Sequence, residues 1–463
     1  MSISKMTPRE HMIIILFCAT IGLIVVPQLI QQQQLLEFWK LRQIGSFPFH
    51  PSQIESNPEF SHKPETKHVL CSKVLSGDKA YIKNITRDRP VLRYHKLDMS
   101  CSHIKARVLP PKGLKKLDFG VAYARIVHES YQFIEDEVRS SYHPQNIFCF
   151  SVDAKSSRKF YARIEALSKC LPNVLLSPTR YSISRHGHNM NQAHYDCLKL
   201  LSNFEGWRYV LLLQNYDMMI KTVYETVSIL KELGGANDVC ARPCESNRWN
   251  YSANWDARSL KLFRNESQAT PKQLAGKVTM VRGIVQSALS RDAVEWAVKT
   301  VDLTTLINQL NLHVRGADET LWAALQMSDD LEMPGRFTEK CISEKTYVPC
   351  ISRVSFWSWQ KRFCRCSKYR HHTCVFGIEH LQLLSKHRSL VANKPHPGFD
   401  YAIVDCLHEL LFNKTLQSYD SLDLKPYSNF EHVRYHRNFI SPDPDYQLRC
   451  ATLENEDYFL DTN

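Results

Sequence analysis

The sequence predicts an α/β fold with a mixed, mainly parallel sheet flanked by helices, behind an N-terminal membrane anchor and a stem. Downstream of Leu117, short apolar runs typical of buried strands alternate with segments of helical spacing. Upstream of it lie an uncharged apolar stretch and then a polar, proline-containing region. Strands that alternate with helices favour a parallel sheet whose ligand lies at the carboxyl ends of the strands.

The elements can be assigned in chain order. Buried strands are predicted at 120–127, 146–152, 173–176 and 209–213, and helices at 131–138, 157–170 and 189–201. His128, Asp153 and Asp217 follow three of these strands, so in a parallel sheet they would line one crevice. Each also has an ordinary alternative, because a strand-end Asp is often a helix cap and a single His is usually structural.

The N-terminal region predicts a membrane anchor. Residues 12–30 are apolar and uncharged, and about 20 such residues span a bilayer as a helix. A cleaved signal peptide is the alternative, and both place the rest of the chain in the secretory lumen. We expect a cytoplasmic tail at 1–11, a transmembrane signal-anchor at 12–30, a lumenal stem at 31–116, the folded domain at 117–450 and a C-terminal tail at 451–463.

The cysteines and the glycosylation patterns agree with a lumenal location. Of fifteen cysteines, only Cys18 lies in the predicted anchor, and an oxidising lumen would pair most of the others. The sequence contains no paired C-x-x-C sets of the kind that bind structural zinc. Glycosylation patterns begin at Asn84, Asn250, Asn265 and Asn413.

The net charge of +12 comes from basic residues that are scattered along the chain, and no nucleic-acid motif is present. We therefore expect no nucleic-acid partner.

The segment 315–322 contains two adjacent acids, Asp318 and Glu319, directly before the apolar run 321–325. That order places an acid at or near a helix N-terminus, inside a cleft. The alternative is that Asp318 is an N-cap and Glu319 is a first-turn charge, which are common roles for acids there.

Seven segments carry further short motifs, at 122–128, 144–153, 170–174, 217–222, 317–322, 374–377 and 392–394. In this order, over about 300 residues, they resemble the core-2/I-branching β-1,6-N-acetylglucosaminyltransferases, a metal-independent branch of the GT-A glycosyltransferases. The resemblance implies a GT-A-like fold and a type II Golgi membrane protein with a lumenal catalytic domain. It also implies inverting transfer of N-acetylglucosamine from UDP-N-acetylglucosamine, in β-1,6 linkage, onto a galactose or N-acetylgalactosamine of an O-glycan.

The resemblance makes Glu319 the general base, with Asp318 as a cap or supporting partner. An ionised carboxylate within hydrogen-bond reach of the acceptor hydroxyl suits that role. Two alternatives remain open. One is a relative with another donor, such as a xylosyltransferase. The other is a non-catalytic glycan-binding relative, because residues 214–216 depart from the family pattern and the family's acceptor-reading glutamate is not evident at 240–242.

The residues that the resemblance assigns to the donor are Val127, His128, Asp153, Arg370 and Lys394. The strand end at 151–155 has one acid rather than an Asp-x-Asp pair, so we expect no metal and no cofactor besides the UDP-sugar substrate. Fixed cations would then stabilise the leaving diphosphate. Lys394 matches the family lysine, whereas the arginine position is open between Arg370, His371 and His372. Arg370 is preferred because a guanidinium binds phosphate in fork geometry.

The acceptor glycan is assigned to Arg248, Trp249, Trp357 and Trp359, because aromatic faces cover the apolar side of a sugar ring. Core packing is the alternative for the tryptophans. Expected disulfides by resemblance are Cys71–Cys406, Cys101–Cys170 and Cys149–Cys197, and Cys374 with Cys364 or Cys366, of which Cys366 is the expected partner. Cys240, Cys244, Cys341, Cys350 and Cys450 have no assigned partner. A homodimer through the stem stays open.

Overall fold

The structure is a computed structural model that describes residues 59–111, 113–312, 315–343, 345–417 and 422–452. These residues belong to one compact unit, Asn57–Asn463. The predicted cytoplasmic tail, the membrane anchor, the stem up to residue 58 and the C-terminal tail from residue 453 lie outside the described residues. Among the helices that are described, none combines the length and the apolar character required to cross a membrane.

The strands are β1 Gly120–Val127, β2 Ile147–Val152, β3 Val174–Leu176, β4 Trp207–Leu213, β5 Met218–Met219, β6 Arg242–Pro243, β7 Val281–Arg282, β8 Ser287–Ser290, β9 Thr346–Tyr347, β10 Tyr369–Arg370, β11 Thr373–Cys374, β12 Val391–Ala392 and β13 Ala451–Thr452. The helices are α1 Cys71–Leu75, α2 Lys79–Ile85, α3 Cys101–Val108, α4 Tyr131–Ser141, α5 Arg158–Cys170, α6 Met190–Leu201, α7 Val223–Leu233, α8 Pro271–Ala275, α9 Arg291–Glu295, α10 Thr304–Asn311, α11 Ala317–Met327, α12 Leu381–Lys386, α13 Ala402–Gln417, α14 Lys425–Ser428 and α15 Glu431–Ile440.

The central sheet confirms the predicted class. Its five strands have the order β3-β2-β1-β4-β8, and the first four are parallel. Every residue of β1 and β2 is buried, which explains their continuous apolar runs, since helices cover both faces of a parallel sheet. Strand β8 is antiparallel to β4. Its direction is set by pairing with β4 that the sequence does not reveal.

The predicted helices also form, with boundaries explained by local capping. Helix α5 begins at Arg158 because the Ser157 hydroxyl accepts a hydrogen bond from the backbone N–H of Phe160 at 3.1 Å. Helix α4 starts at Tyr131 as predicted and runs three residues further than predicted, to Ser141.

The predicted start of the folded domain, at residue 117, needs correction. Residues upstream of it form helices α1 to α3 and contribute buried side chains to the main core, including Val69, Val74, Ile104 and Val108. Disulfides tie α1 to α13 and α3 to α5. Such short helices carry too few apolar residues for a clear period, so the sequence alone suggested a stem. At the other end, β13 pairs with β9, so the first residues of the predicted C-terminal tail are also folded.

The disulfides confirm three expected pairs and correct one. Described pairs are Cys71–Cys406, Cys101–Cys170, Cys149–Cys197, Cys240–Cys350, Cys341–Cys450 and Cys364–Cys374. The expectation of Cys366 as the partner of Cys374 was wrong, because the buried Cys364 takes that place. The Cys366 thiol instead donates to the carbonyl of Val375 at 2.9 Å. Cys244 is also a free thiol.

Replacing Cys364 by Ser is expected to move the bond to Cys366, because the Cys366 and Cys374 sulfurs already lie 4.0 Å apart. The free energy of unfolding should then fall by less than the roughly 2–5 kcal/mol that loss of a disulfide costs. Peptide mapping without reduction would find Cys366 linked to Cys374. In the control Cys71→Ser, Cys406 should remain a free thiol. A free Cys374 in folded Cys364→Ser protein would contradict the prediction.

Three of the four predicted glycosylation acceptors are exposed. Asn84, Asn250 and Asn265 lie at the surface, whereas Asn413 is half-buried on helix α13. Glycosylation of these residues stays a prediction.

Candidate active site

Helix α11 presents the two adjacent acids in its first turn, as predicted, but neither of them caps it. The N-cap is Gly316, with φ of 80°, a conformation that favours glycine. A Cβ at this position would also come within 2.3 Å of Nη1 of Arg248. Gly316 therefore allows both the turn into the helix and the close approach of the arginine.

Glu319 forms an ion pair with Arg248, so the structure brings together two of the predicted site residues. Nη1 of Arg248 donates to Oε2 of Glu319 at 2.7 Å. The Arg248 side chain is 13% exposed and that of Glu319 is 31% exposed. Burial acts to lower the pKa of Arg248, but the carboxylates of Glu319 and Glu245 outweigh it and raise that pKa. The guanidinium is thus a permanent positive charge against a carboxylate that opens to solvent.

Asp318 has an unusual environment. Burial, followed by the charge of Glu319, raises the pKa of Asp318 to about 7. Its Oδ1 lies so close to Gly187 that a Cβ there would meet it at 1.8 Å. A carboxyl whose pKa is raised by burial and by an adjacent charge is a candidate catalytic group.

Lys394 lies beside a network of buried polar groups. It follows β12, which pairs with β5, and Asp217 immediately precedes β5. Asp217 accepts hydrogen bonds from Nε2 of Gln286 at 2.8 Å and from Nδ2 of Asn393 at 2.6 Å. Burial, then Arg370 and Arg353, lower the pKa of Lys394 to about 8, while Asp217 opposes that shift. Lys394 is therefore a partly desolvated cation whose charge interacts with that of Asp217.

Arg353 belongs to this site and was missed in the sequence analysis. Its Nη1 donates to Oε1 of Gln286 at 2.9 Å, and its guanidinium lies 5.9 Å from the ring of Trp357. Burial lowers the pKa of Arg353, and the charges of Asp217, Glu319 and Asp318 oppose this. Arg353 thus interacts electrostatically both with the acids of α11 and with Lys394. Its segment, 351–356, reads Ile-Ser-Arg-Val-Ser-Phe and contains no motif that singles the arginine out.

Arg370 lies on a β-hairpin that ends near Lys394. Strands β10 and β11 pair antiparallel and are joined by His371 and His372, with φ of 50° and 63°, as a two-residue type I′ turn requires. The Arg370 guanidinium is 5.8 Å from the ring of Tyr216. Burial, then the charges of Lys394 and Arg370, lower the pKa of His371. Of the three alternatives, Arg370 and His371 interact electrostatically with Lys394, whereas Nδ1 of His372 lies 3.4 Å from the Ser358 hydroxyl.

The predicted strand-end residues lie at one edge of the sheet. The backbone N–H of Asp153 donates to the carbonyl of Val127 at 2.9 Å, and the N–H of His128 donates to Oδ1 of Asn215 at 2.7 Å. Tyr216 donates to Oε1 of Glu129 at 2.6 Å. The side-chain contact with His128 is the main cause that lowers the pKa of Glu129 to about 2. The segment 214–216, which departs from the family pattern, thus organises this edge.

Two aromatic surfaces flank the acids. Trp357 and Trp359 stack in parallel, with ring centres 5.2 Å apart and an interplanar angle of 4°, and Trp359 is 71% exposed. Core packing is therefore the wrong interpretation of Trp359. Trp249 packs on Tyr251, with ring centres 4.3 Å apart, and edge-on to Trp255. The first pair adjoins Arg353 and the second follows Arg248 directly in the chain.

Comparison with known proteins agrees with these features. The profile of the family described as Core-2/I-Branching enzyme matches residues 121–385. The "Beta-1,3-galactosyl-O-glycosyl-glycoprotein beta-1,6-N-acetylglucosaminyltransferase 3" of Rattus norvegicus is 28% identical over 378 residues, which cover 76% of this chain and 85% of the relative. The human enzyme of that name is 28% identical, with 77% and 86% covered, and a Bovine herpesvirus 4 enzyme is 27% identical, with 76% and 84% covered.

Among solved structures, the mannosyltransferase Ktr4p from S. cerevisiae in complex with GDP is 12% identical, with a TM-score of 0.24, covering 57% of this chain and 80% of that one. That TM-score is too low for a comparison of folds. The sheet, the site and the family profile together define the class of protein, which is a glycosyltransferase. The chain belongs to the Core-2/I-branching enzyme family.

Proposed function

We propose that this protein is an inverting glycosyltransferase that moves N-acetylglucosamine from UDP-N-acetylglucosamine, in β-1,6 linkage, onto a galactose or N-acetylgalactosamine of an O-glycan. The observation that carries the proposal is the pairing of Glu319 with Arg248 at one side of a site whose other side carries Lys394 and Arg370. The names of the related enzymes support N-acetylglucosamine as the transferred sugar and the β-1,6 linkage. Family membership and the mainly parallel sheet support a GT-A-like catalytic domain.

In the proposed reaction, Glu319 accepts the proton of the acceptor hydroxyl. That hydroxyl oxygen bonds to the anomeric carbon from the face opposite UDP, and the bond to the diphosphate oxygen breaks with its electron pair leaving on UDP. The contact from Arg248 holds Oε2 of Glu319 and orients the carboxylate. A carboxylate positioned in this way contributes through general base catalysis.

Fixed cations stabilise the leaving diphosphate in this proposal. Lys394 and Arg370 neutralise the charge that develops on it, and His128, Val127 and Asp153 contact the nucleotide at the sheet edge. Preorganised charges in a partly desolvated site cost no reorganisation when the bond breaks. We propose that no metal and no cofactor take part, because the strand end at 151–155 carries a single acid.

The acceptor is proposed to lie along Trp357 and Trp359, with Arg248 and Trp249 on its other side. These stacked indole rings, of which that of Trp359 is exposed, offer an apolar face to a sugar ring. The protein is proposed to be a type II Golgi membrane protein, anchored by residues 12–30, with its catalytic domain in the lumen.

The test is transfer by the full-length protein in detergent, with UDP-N-acetylglucosamine and a galactosyl-β-1,3-N-acetylgalactosamine acceptor. We expect product with EDTA present, at a rate that added Mn²⁺ leaves unchanged. Analysis of the product linkage should give β-1,6. UDP-xylose with a serine-containing peptide is the parallel arm for the other donor. Product only with Mn²⁺ would contradict the metal-free proposal. No product from either donor in a folded protein that binds the glycan would favour a glycan-binding relative.

A further inference from the structure

Glu245 connects the paired arginine of the site to a second arginine. Its Oε2 lies 2.6 Å from Nε of Arg248, and its Oε1 lies 3.1 Å from Nη2 of Arg282. Together with the contact between Arg248 and Glu319, this forms a charge chain of alternating sign, Glu319–Arg248–Glu245–Arg282. The chain runs from the proposed base to a residue that the sequence analysis did not single out.

The backbone closes this charge chain into a ring. Strands β6 and β7 pair antiparallel with Arg242 opposite Arg282, which places the segment after β6 beside β7. The residue after Arg282, Gly283, donates its N–H to the backbone carbonyl of Glu319 at 2.6 Å. A Cβ at Gly283 would meet the carbonyl of Cys240 at 2.3 Å, so this approach depends on glycine. Glu319 is therefore attached to β7 at its backbone and, through the charge chain, at its side chain.

The start of β6 is also fixed to the rest of the site. Cys240 is bonded to Cys350, and Ala241 forms a bridge with Val348. The turn Ser246–Arg248 thus emerges from an anchored strand and lies over α11. A long arginine side chain would otherwise sample many rotamers, so two carboxylate contacts on one guanidinium restrict it more than one contact does.

We propose that Glu245 and Arg282 are positioning residues for the transfer reaction, which hold Arg248 on one oxygen of Glu319 and leave the other oxygen to the acceptor hydroxyl. This inference rests on the proposed role of Glu319 as the base. Among the described residues, Oε1 of Glu319 accepts no hydrogen bond, whereas Oε2 accepts one. Arg248 divides its charge between two carboxylates, so the link from Glu245 to Arg282 sets how strongly Arg248 binds Glu319.

The alternating signs predict opposite effects of the two neutral variants. In Glu245→Gln, Arg248 pairs with Glu319 alone, so activity is expected to be lost at a lower pH. In Arg282→Gln, Glu245 draws Arg248 more strongly, so activity is expected to be lost at a higher pH. Shifts of about 0.5 pH unit are expected, since these side chains are partly exposed and screened.

Other charged and titratable groups face Glu319 and are common to all variants. They are Asp318 on the same helix, Cys244 beside Glu245, and Arg353 from the segment that carries the tryptophans. Because Asp318 and Glu319 are adjacent, the acid side of the profile belongs to the pair. Opposite shifts of the profile in Glu245→Gln and Arg282→Gln therefore report on the charge chain, whether Asp318 or Glu319 takes the proton.

The experiment measures the pH dependence of kcat/KM for the full-length protein and its variants, with donor KM at each pH. Glu245→Gln should shift the acid side of the pH profile of kcat/KM to lower pH, and Arg282→Gln should shift it to higher pH. Both variants should keep the donor KM within about twofold of the wild-type value. Glu245→Asp keeps the charge but shortens the side chain, so it should lower kcat several-fold if reach matters. Arg258→Gln, on an exposed arginine, is the matched control and should leave the profile unchanged.

Two kinds of failure can be told apart. Glu319→Gln, assayed in parallel, tests the base itself, and full activity in that variant would overturn both the proposed role of Glu319 and this inference. A second outcome is that Glu319→Gln is inactive while Glu245→Gln and Arg282→Gln shift the acid side of the profile in the same direction, or not at all. In that case only the role of the charge chain is overturned. Wild-type behaviour of Glu245→Asp would show that charge alone, without positioning, accounts for the shifts.

Discussion

Glu319→Gln is expected to lower kcat by about 10²–10⁴-fold while leaving the affinity for UDP nearly unchanged, because general base catalysis contributes on that order. The amide retains the shape of the side chain but cannot accept the hydroxyl proton. Steady-state kinetics with saturating donor and acceptor, together with calorimetric titration of UDP, would measure both quantities.

Glu165→Gln is the matched control for that substitution. Glu165 lies on helix α5 in an exposed pair with Lys169 at 3.0 Å, so its loss should change kcat by less than twofold. A Glu319→Gln enzyme within tenfold of the wild-type kcat, in folded protein, would contradict the assignment of the base. A variant that loses UDP affinity as well would point to a general disturbance of the site.

Lys394→Met is expected to lower kcat/KM for the UDP-sugar by about 10²–10³-fold, the range for removal of one group that stabilises developing negative charge. The methionine side chain fills a similar volume without the charge that faces Asp217 and Arg370. Lys386→Met, at the exposed end of α12, is the matched control and should keep wild-type kinetics.

The same substitution should change the alkaline side of the pH profile. The pKa of Lys394 is lowered to about 8 by burial and by its cationic neighbours, so the charged form is present below that pH and is lost above it. Wild-type kcat/KM, which reports the free enzyme, should therefore fall as the pH rises through about 8. In Lys394→Met this fall should disappear. A fall that persists unchanged would assign the titration to another group.

Much of the fold could be predicted because its determinants are local. Strand β1 has the predicted bounds 120–127, and α6 begins one residue after the predicted start. Strand β1 is a nearly continuous apolar run, and α6 repeats its buried apolar residues at helical spacing. The direction of β8 and the three helices before residue 117 depend instead on partners far away in the chain, such as β4 and the Cys406 that holds α1.

Some residues of the candidate site could likewise be singled out from the sequence, and others could not. Residue types near recognisable motifs, such as Glu319 and Lys394, could be singled out from the sequence, and their roles stay predictions. Arg353 could not, because no motif surrounds it and its interactions with Asp217, Asp318 and Glu319 arise only when distant segments meet. The same holds for the choice of Cys364 over Cys366, which lie two residues apart and differ in burial.

The sequence by itself determined the alternation of strands and helices, the location of the acidic pair at the start of α11, and the family resemblance. These features reside in periodicity and in short motifs, which are properties of neighbouring residues. Only the tertiary structure decided which charges face one another: the ion pair of Glu319 with Arg248, the extension of that pair through Glu245 to Arg282, and the place of Arg353 beside Asp217. Electrostatic interactions depend on distance and burial, and the fold sets both by bringing together residues far apart in the chain.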